Sequence, residues 1–410
     1  MSPADTAAPH HQLPRLIGGH ICLHACMAGL RMAAPLLALT QGYSALAVGL
    51  LMALFALTQV FLALPAGRYA DRHGLRRPIA LSVIAASGGT ALAVAFPVFP
   101  VLCLAALLSG GATGAASITL QRHVGRAARD AAELRQVFSW LSIGPAASNF
   151  LGPLLAGLLI DHAGVWLGGV AGDLSGYRSA FLLMALLPLL TWWLVRHTPD
   201  LPSQTSGAEQ GRRRAWDLLR DPMMRRLLLV NWFLSSCWDV HTFVLPVLGH
   251  ERGYSASTIG MLLGSFAIAA TVVRLLMPWL SRRLREWVVI SSAMVATALL
   301  FGLYPLMPSA LAMGVCSVLL GLVLGSVQPM IMSTLHQITP ADRHGEALGL
   351  RLMSLNGSSV LMPLLFGSIG TVVGVSIVFW VVGAAVGLGS RTAWTLRAPP
   401  AHPPADRRTG

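Results

Sequence analysis

Long apolar runs separated by short connections leave this chain few ways to fold, because lipid, unlike water, tolerates them on a protein's outside. Twelve runs can be laid out, at 15–39, 44–66, 77–96, 99–121, 136–160, 178–196, 226–248, 255–280, 286–305, 308–330, 345–369 and 371–393. Each is close to the ~20 residues a helix needs to cross a hydrocarbon core. Lipid supplies no hydrogen-bond partners, so each run must satisfy its backbone internally and is predicted to be an α-helix. Charged residues make up 11% of the chain, where a soluble protein of this size carries about a quarter. The expectation is an all-α integral membrane protein.

Charge placement sets the orientation. A net charge of +13 concentrated on one soluble face would point to nucleic acid. Here the arginines lie in alternate connections instead: Arg68 to Arg77, Arg122 to Arg135, Arg196 to Arg226, Arg282 to Arg285, and Arg343. The connections near Gly42, Pro97, Asp161 to Arg178, Arg252, Pro305 and Gly370 carry almost none. Positive charge stays on the cytoplasmic side, so both termini are expected there. The five cysteines all lie inside apolar runs, so no disulfide framework is expected. The polar start of the chain and the length of its first apolar run argue against a cleaved signal.

One long polar connection divides the chain. The expected organisation is an N-terminal tail (1–14), a six-helix bundle (15–196), a flexible cytoplasmic linker (197–225), a second six-helix bundle (226–393) and a C-terminal tail (394–410). The segment Asp217 to Arg226, behind Arg212-Arg213-Arg214, could lie as a short helix on anionic lipid or stay solvated. The two bundles read as repeats. Pro35 recurs as Pro246, Gly110 and Gly114 as Gly321 and Gly325, each about 211 positions on, and Pro153 and Gly157 recur as Pro363 and Gly367 at about 210. Internal duplication of this kind is the sequence mark of alternating-access transporters, with a site between the halves near the membrane midplane.

The connection after the second run is unusually patterned. Pro65 should end that helix, and Gly67, Asp71, Arg72, Gly74, Arg76 and Arg77 follow at fixed spacing. This resembles G-x-x-x-D-R-x-G-R-[KR]-[KR], between helices 2 and 3 of the major facilitator superfamily, with Leu75 departing at one basic position. The resemblance implies two pseudo-symmetric six-helix bundles around a central cavity. It also implies a latch, in which Asp71 caps a helix N-terminus and pairs with arginines across the two halves. Arg122, Arg126 and the start of helix 11 near Gly345 are its expected partners. In helix 5, Ser148, Gly152, Pro153, Ala156 and Gly157 resemble the superfamily's antiporter signature G-x-x-x-G-P-x-x-G-G, with two glycines relaxed. These small residues are expected to pack helix 5 against the other half. The basic residue many drug–proton antiporters carry in helix 4 is missing between Cys103 and Ala116.

Ionisable groups at membrane depth are costly and mark function. His20, His24, Met27, Arg31 and Pro35 share one face of helix 1 at helical spacing. The equivalent face of helix 7 reads Asn231, Ser235, Trp238, Thr242 and Pro246, with Asp239 and His241 beside it. Asp239 is the one carboxylate well inside a predicted span. It is expected to form a proton-sensitive pair with Arg31 across the halves, with His241 nearby and His20 and His24 as further cavity groups. A permanent structural pair is the alternative. Asn149, Gln328 and Asn356 are expected to line the cavity with Met27, Asn231, Trp238 and Thr242. Trp140, Trp232, Trp238 and Phe233 fit an aromatic wall. Arg274 is expected to reach out to the membrane surface.

Together these features point to a secondary active transporter of a bacterial inner membrane, using protons to export small lipophilic or amphiphilic compounds. Uptake or exchange of a sugar or organic anion is the alternative, and a membrane enzyme or a non-transporting sensor the remote one. The chain shows no metal-ligand cluster, nucleophile elbow or phosphate loop, so no catalysis, metal or cofactor is expected. The expected partners are a small-molecule substrate, protons and the lipid bilayer, without nucleic acid, for a chain acting as a monomer.

Overall fold

Each apolar run is a helix. The computed structural model describes residues 13–127, 131–166, 168–200, 215–280, 285–339 and 344–396. In the first half the helices are α1 (Leu13–Thr40), α2 (Ala45–His73), α3 (Arg76–Ala95), α4 (Phe99–Ala127), α5 (Ala131–Trp166) and α6 (Leu174–Val195). The second half has α7 (Pro222–Glu251), α8 (Ala256–Leu280), α9 (Glu286–Leu303), α10 (Ala310–Ile338), α11 (His344–Val373) and α12 (Val375–Trp394). Eleven of them, all but α5, are long and apolar enough among the described residues to cross a membrane. Short side chains start several of them: Ser44, Asp173, Asp221 and Ser309 each accept a backbone N–H from the first turn of the helix that follows.

Several predicted boundaries move, and two of them show why. Helix 2 does not end at Pro65, which lies inside α2, and the helix carries Gly67 and Asp71 on to His73. Proline removes one backbone donor, and a helix survives that loss where neighbours hold it. Two residues past the proline, the Arg122 guanidinium reaches over from α4 and donates to the carbonyl of Gly67 at 2.5 Å. The patterned connection is therefore a tight turn at Gly74 and Leu75, with Gly74 at φ 73°, a left-handed conformation that favours glycine. Helix 12 begins at Val375 because α11 runs on to Val373 and turns at Gly374, φ 90°.

α1 packs against α4, α5 and α6, while α2 and α3 pack on α4. In the second half α8 and α9 pack on α10, and α7 and α9 on α12. The repeated glycines explain how the helices come so close. A Cβ at Gly110 would collide with the carbonyl of Phe55 on α2, and one at Gly321 with the carbonyl of Phe266 on α8. Two seams, α2–α11 and α5–α8, make the main contacts between the halves. Both lie toward the end of the bundle opposite the termini. Gly49 and Gly367 bring the backbones of α2 and α11 together there. Asp161, near the end of α5, accepts the Ala256 and Ser257 N–H groups at 3.1 and 2.7 Å, capping α8 from the other half.

Of the expected linker, residues 201–214 fall outside the described residues, as do most of both tails. The segment from Asp217, left open between a surface helix and a solvated stretch, forms part of a short 3-10 turn, Ala215–Arg220, tucked against α7 and α11 with Leu218 buried, and α7 follows from Pro222.

Candidate functional site

Two cavities lie along α7, separated by Trp238, which lines both. The larger, of about 210 Å³, is nearer the terminus end and is walled by α7, α8, α10 and α11. Its polar lining is Ser235, Asp239, Arg274, Gln328 and Ser359, set among Leu234, Leu324, Val327 and Leu355. The smaller, of about 40 Å³, lies between the halves and is lined by Arg31, Asn149, Trp238 and Thr242 among apolar groups.

Asp239 is 6% exposed. A carboxylate buried this far is costly unless hydrogen bonds and charge compensate it. Both kinds of compensation are present. Ser358 Oγ donates to it at 2.9 Å and Ser359 Oγ at 3.2 Å, both from α11. Arg31, on α1 of the opposite half, acts on it electrostatically. The direct Asp239–Arg31 pair expected from sequence is thus an interaction through space, and the carboxylate's hydrogen bonds go to two serines. A serine hydroxyl carries no charge, so neither serine stands out among the polar residues of the apolar runs.

The histidines sit elsewhere. His241 is fully buried, with Nε2 at 3.1 Å from Ser317 Oγ, its ring stacked on Phe266 and edge-on to Tyr304. It points into the α8–α10 packing and away from Asp239. His20 Nε2 lies 3.0 Å from Ser117 Oγ on α4, and His24 meets the His20 ring edge-on. Both belong to the packing of α1 inside its own half. Met27 is buried against Gln59 of α2, and Asn231 is fully buried. Neither lines either of these two cavities, nor does the half-buried Asn356. One helical face of α1 therefore meets different neighbours along its length. Eleven residues separate His20 from Arg31, about 16 Å of rise, enough to pass from the interior of one half to the space between the two.

Asn149, Trp238, Thr242 and Gln328 do line the cavities. Asn149 Nδ2 donates to the Pro145 carbonyl and Thr242 Oγ1 to that of Trp238. Arg274 does not reach away to the surface. It lines the larger cavity with its guanidinium 5.3 Å from the centre of the Trp238 ring, a cation–π contact. Arg351, which sequence reasoning passed over, is 8% exposed and donates from Nη2 to Gln328 Oε1. Its depth about seven residues into α11 was the signal that could have found it.

The helix 5 signature divides its contacts. Ser148 Oγ donates to the Ile21 carbonyl of α1 at 2.9 Å, and Gly152 lies against Ala25 and Gly29 of the same helix. Pro153 and Gly157 face the other half: Gly157 lies against Ala256 and Ser257, and Gly260 of α8 lies against the Pro153 carbonyl. Ala156 is buried. Of the small residues expected to pack helix 5 against the second half, Gly157 does so, while Ser148 and Gly152 meet α1, because α1 and α8 flank α5 on two sides.

Of the expected latch, the side chains of Asp71, Arg126 and Gly345 lie outside the described residues. Arg72 and Arg77 are exposed. The turn itself is held by an acid that the pattern did not include. Asp200 Oδ1 accepts the N–H groups of Leu75 and Arg76 at 2.6 and 3.1 Å, and Arg76 Nε donates to the Thr198 carbonyl at 2.8 Å. α3 starts at Leu75 without a capping side chain of its own, so this carboxylate from beyond α6 supplies the cap.

The family model "Major Facilitator Superfamily" matches residues 16–334 and 227–410. The tetracycline resistance protein, class B, of Escherichia coli is 28% identical over 334 residues, 78% of this chain and 78% of that protein. The enterobactin exporter EntS of Salmonella typhi is 26% identical over 222 residues, covering 53% of this chain and 51% of that one. Among solved structures, a D-xylose–proton symporter aligns over 94% of this chain and 97% of its own at TM-score 0.76 and 14% identity. A bacterial homolog of the human lysosomal transporter Spinster, inward-facing and occupied, aligns over 96% and 99% at TM-score 0.76 and 17% identity. Twelve helices in two packed bundles, with cavities along α7 and between the halves, agree with that match, and the chain belongs to the major facilitator superfamily of membrane transporters.

Proposed function

We propose that this transporter exports small amphiphilic compounds across a bacterial inner membrane in exchange for protons, with Asp239 as the group that carries the proton. The supporting observation is the placement of Asp239. It is the carboxylate lining the larger cavity, held by Ser358 and Ser359 and sensed by Arg31 from the opposite half. Taking up a proton removes the charge that attracts Arg31, so the balance between the halves depends on protonation. Substrate and proton compete for the same carboxylate in turn, which is what exchange requires. Relatives named for tetracycline resistance, enterobactin export and purine ribonucleoside efflux favour the outward direction.

The arginine-rich connections lie at the end of the bundle that carries both termini, and the positive-inside rule supports a cytoplasmic position for that end. In that orientation the larger cavity is on the cytoplasmic side, and the α2–α11 and α5–α8 seams close the outer side. Residues 15–196 and 226–393 are the two moving units, working as a monomer in the bilayer, with 197–225 as the connection between them. Asp71, with Arg122 and Arg126, latches them on the cytoplasmic side in the opposite state.

Purified protein in liposomes under an imposed pH gradient tests the reading, with lipophilic cations, amphiphilic zwitterions, neutral antibiotics and sugars as the panel. Movement of a compound against the proton gradient is expected in the wild type. Asp239→Asn should keep substrate exchange and lose gradient-driven accumulation. Movement in the same direction as the protons would identify uptake instead. Unchanged accumulation by Asp239→Asn would rule out the carboxylate as the coupling group.

A further inference from the structure

The larger cavity, taken with Arg351 directly behind its Gln328 wall, holds more positive charge than its one carboxylate, Asp239, can balance. Arg274 is exposed to the cavity and stacked on Trp238. Arg351 reaches the same wall through Gln328, which lines the cavity beside Arg274 and accepts from Arg351 Nη2. Arg351 is more than nine-tenths buried, its Nη2 bonds a neutral amide, and its Nε has no partner. Asp239 bonds Ser358 and Ser359 and has Arg31 as its electrostatic partner, which leaves it uncommitted to either of these arginines. Two adjacent guanidiniums without a carboxylate between them are costly in a membrane interior. An arginine fork is shaped to take the two oxygens of an oxyanion.

We infer that the substrate is a zwitterionic amphiphile, with an oxyanion between Arg274 and Arg351, an ammonium group at Asp239, and an apolar or aromatic body against Trp238 and the leucines. The inference rests on the export reading above and narrows its substrate. The sign of the coupling selects a zwitterion over a simple anion. An anion near Asp239 would strengthen proton binding there, so proton and substrate would travel together. An ammonium group at the carboxylate competes with the proton, as exchange demands. The oxyanion meanwhile satisfies the arginines that a purely cationic compound would leave opposed. Leu234, Leu324, Val327 and Leu355 supply the apolar surface for the body.

The test uses a probe series in which only the charge changes: 2-naphthylalanine, its methyl ester (cationic) and its N-acetyl form (anionic), with the same three forms of phenylalanine. Binding to the purified full chain in nanodiscs is measured at pH 7 by calorimetry. The zwitterion should bind at least about tenfold more tightly than the ester or the N-acetyl form, the scale of one charge-assisted contact. Arg274→Gln and Arg351→Gln should each bring the zwitterion down to the affinity of the ester while leaving the ester unweakened. Arg274→Lys, which keeps the charge, should restore part of the difference and controls for misfolding. Asp239→Asn should bring the zwitterion down to the level of the N-acetyl form. An ester that binds as tightly as the zwitterion, arginine variants that leave the preference intact, or no binding by any form would overturn the inference. Proton-driven flux of the ester alone in the liposome assay would leave the export reading standing while this one falls. No proton-driven flux of any compound would remove both.

Discussion

Asp239 shows how much a single side chain depends on its second contacts. A hydrogen bond to a charged group is worth about 1.5–3 kcal/mol, and Ser358 and Ser359 supply two. Replacing both serines by alanine should lower the melting temperature clearly in wild type and much less in an Asp239→Asn background, where no charge needs them. An equal penalty in both backgrounds would mean that the serines matter for helix packing and not for the carboxylate. Asp173 offers a comparison outside the membrane. The Ser175 hydroxyl at 2.6 Å and the Gly176 N–H at 3.0 Å hold its carboxyl below the usual carboxylate range. A depressed folded value stabilises the fold above the unfolded value of about 3.9, and the benefit disappears as pH falls through the folded value. Asp173→Ala should therefore melt slightly lower than wild type at pH 7, and the gap should close in acid. A gap that persists at low pH would assign the effect to packing.

At the scale of elements, the closed seam between α5 and α8 is a helix cap made across the two halves. Asp161 accepts two N–H groups at the start of α8, where a helix end carries about half a positive charge. Gly157 and Gly260 let the backbones approach closely enough for that contact. Asp161→Asn keeps the shape and removes the charge, so the outer side should open more often. A cysteine placed in the smaller cavity by Thr242→Cys should then react faster with a membrane-impermeant maleimide added outside intact cells. Equal labelling rates in the two backgrounds would show that the apolar seam alone keeps the outer side shut. The same seam explains why the helix 5 signature was only half legible. Its spacing identifies small faces, but which neighbour each face meets follows from the tilt of α1 and α8 around α5.

For the molecule as a whole, the two halves must separate on one side as they close on the other. The observed seams hold the end opposite the termini, so a second set of contacts has to hold the terminus end in the alternate state. The resemblance assigns that role to Asp71. Asp71→Asn is expected to abolish transport in liposomes while leaving expression and purification unchanged. Transport at the wild-type rate would refute the latch and leave the Asp200 cap as the feature that keeps this turn in place.

The amino-acid sequence by itself determined the membrane class and the apolar runs that form the long helices, because a run of about 20 apolar residues in hydrocarbon must satisfy its backbone within itself. It also singled out Asp239, Arg31 and Trp238, since an ionisable or aromatic group far from either surface is visible by counting residues. Tertiary structure alone decided which of those groups share a cavity. Periodicity gives a side chain's angle around its own helix but not the neighbour at that depth. So His20, His24 and His241 turned into packing, Arg274 turned inward over Trp238, and Arg351 and two serines completed a site that helix-by-helix reading could not assemble.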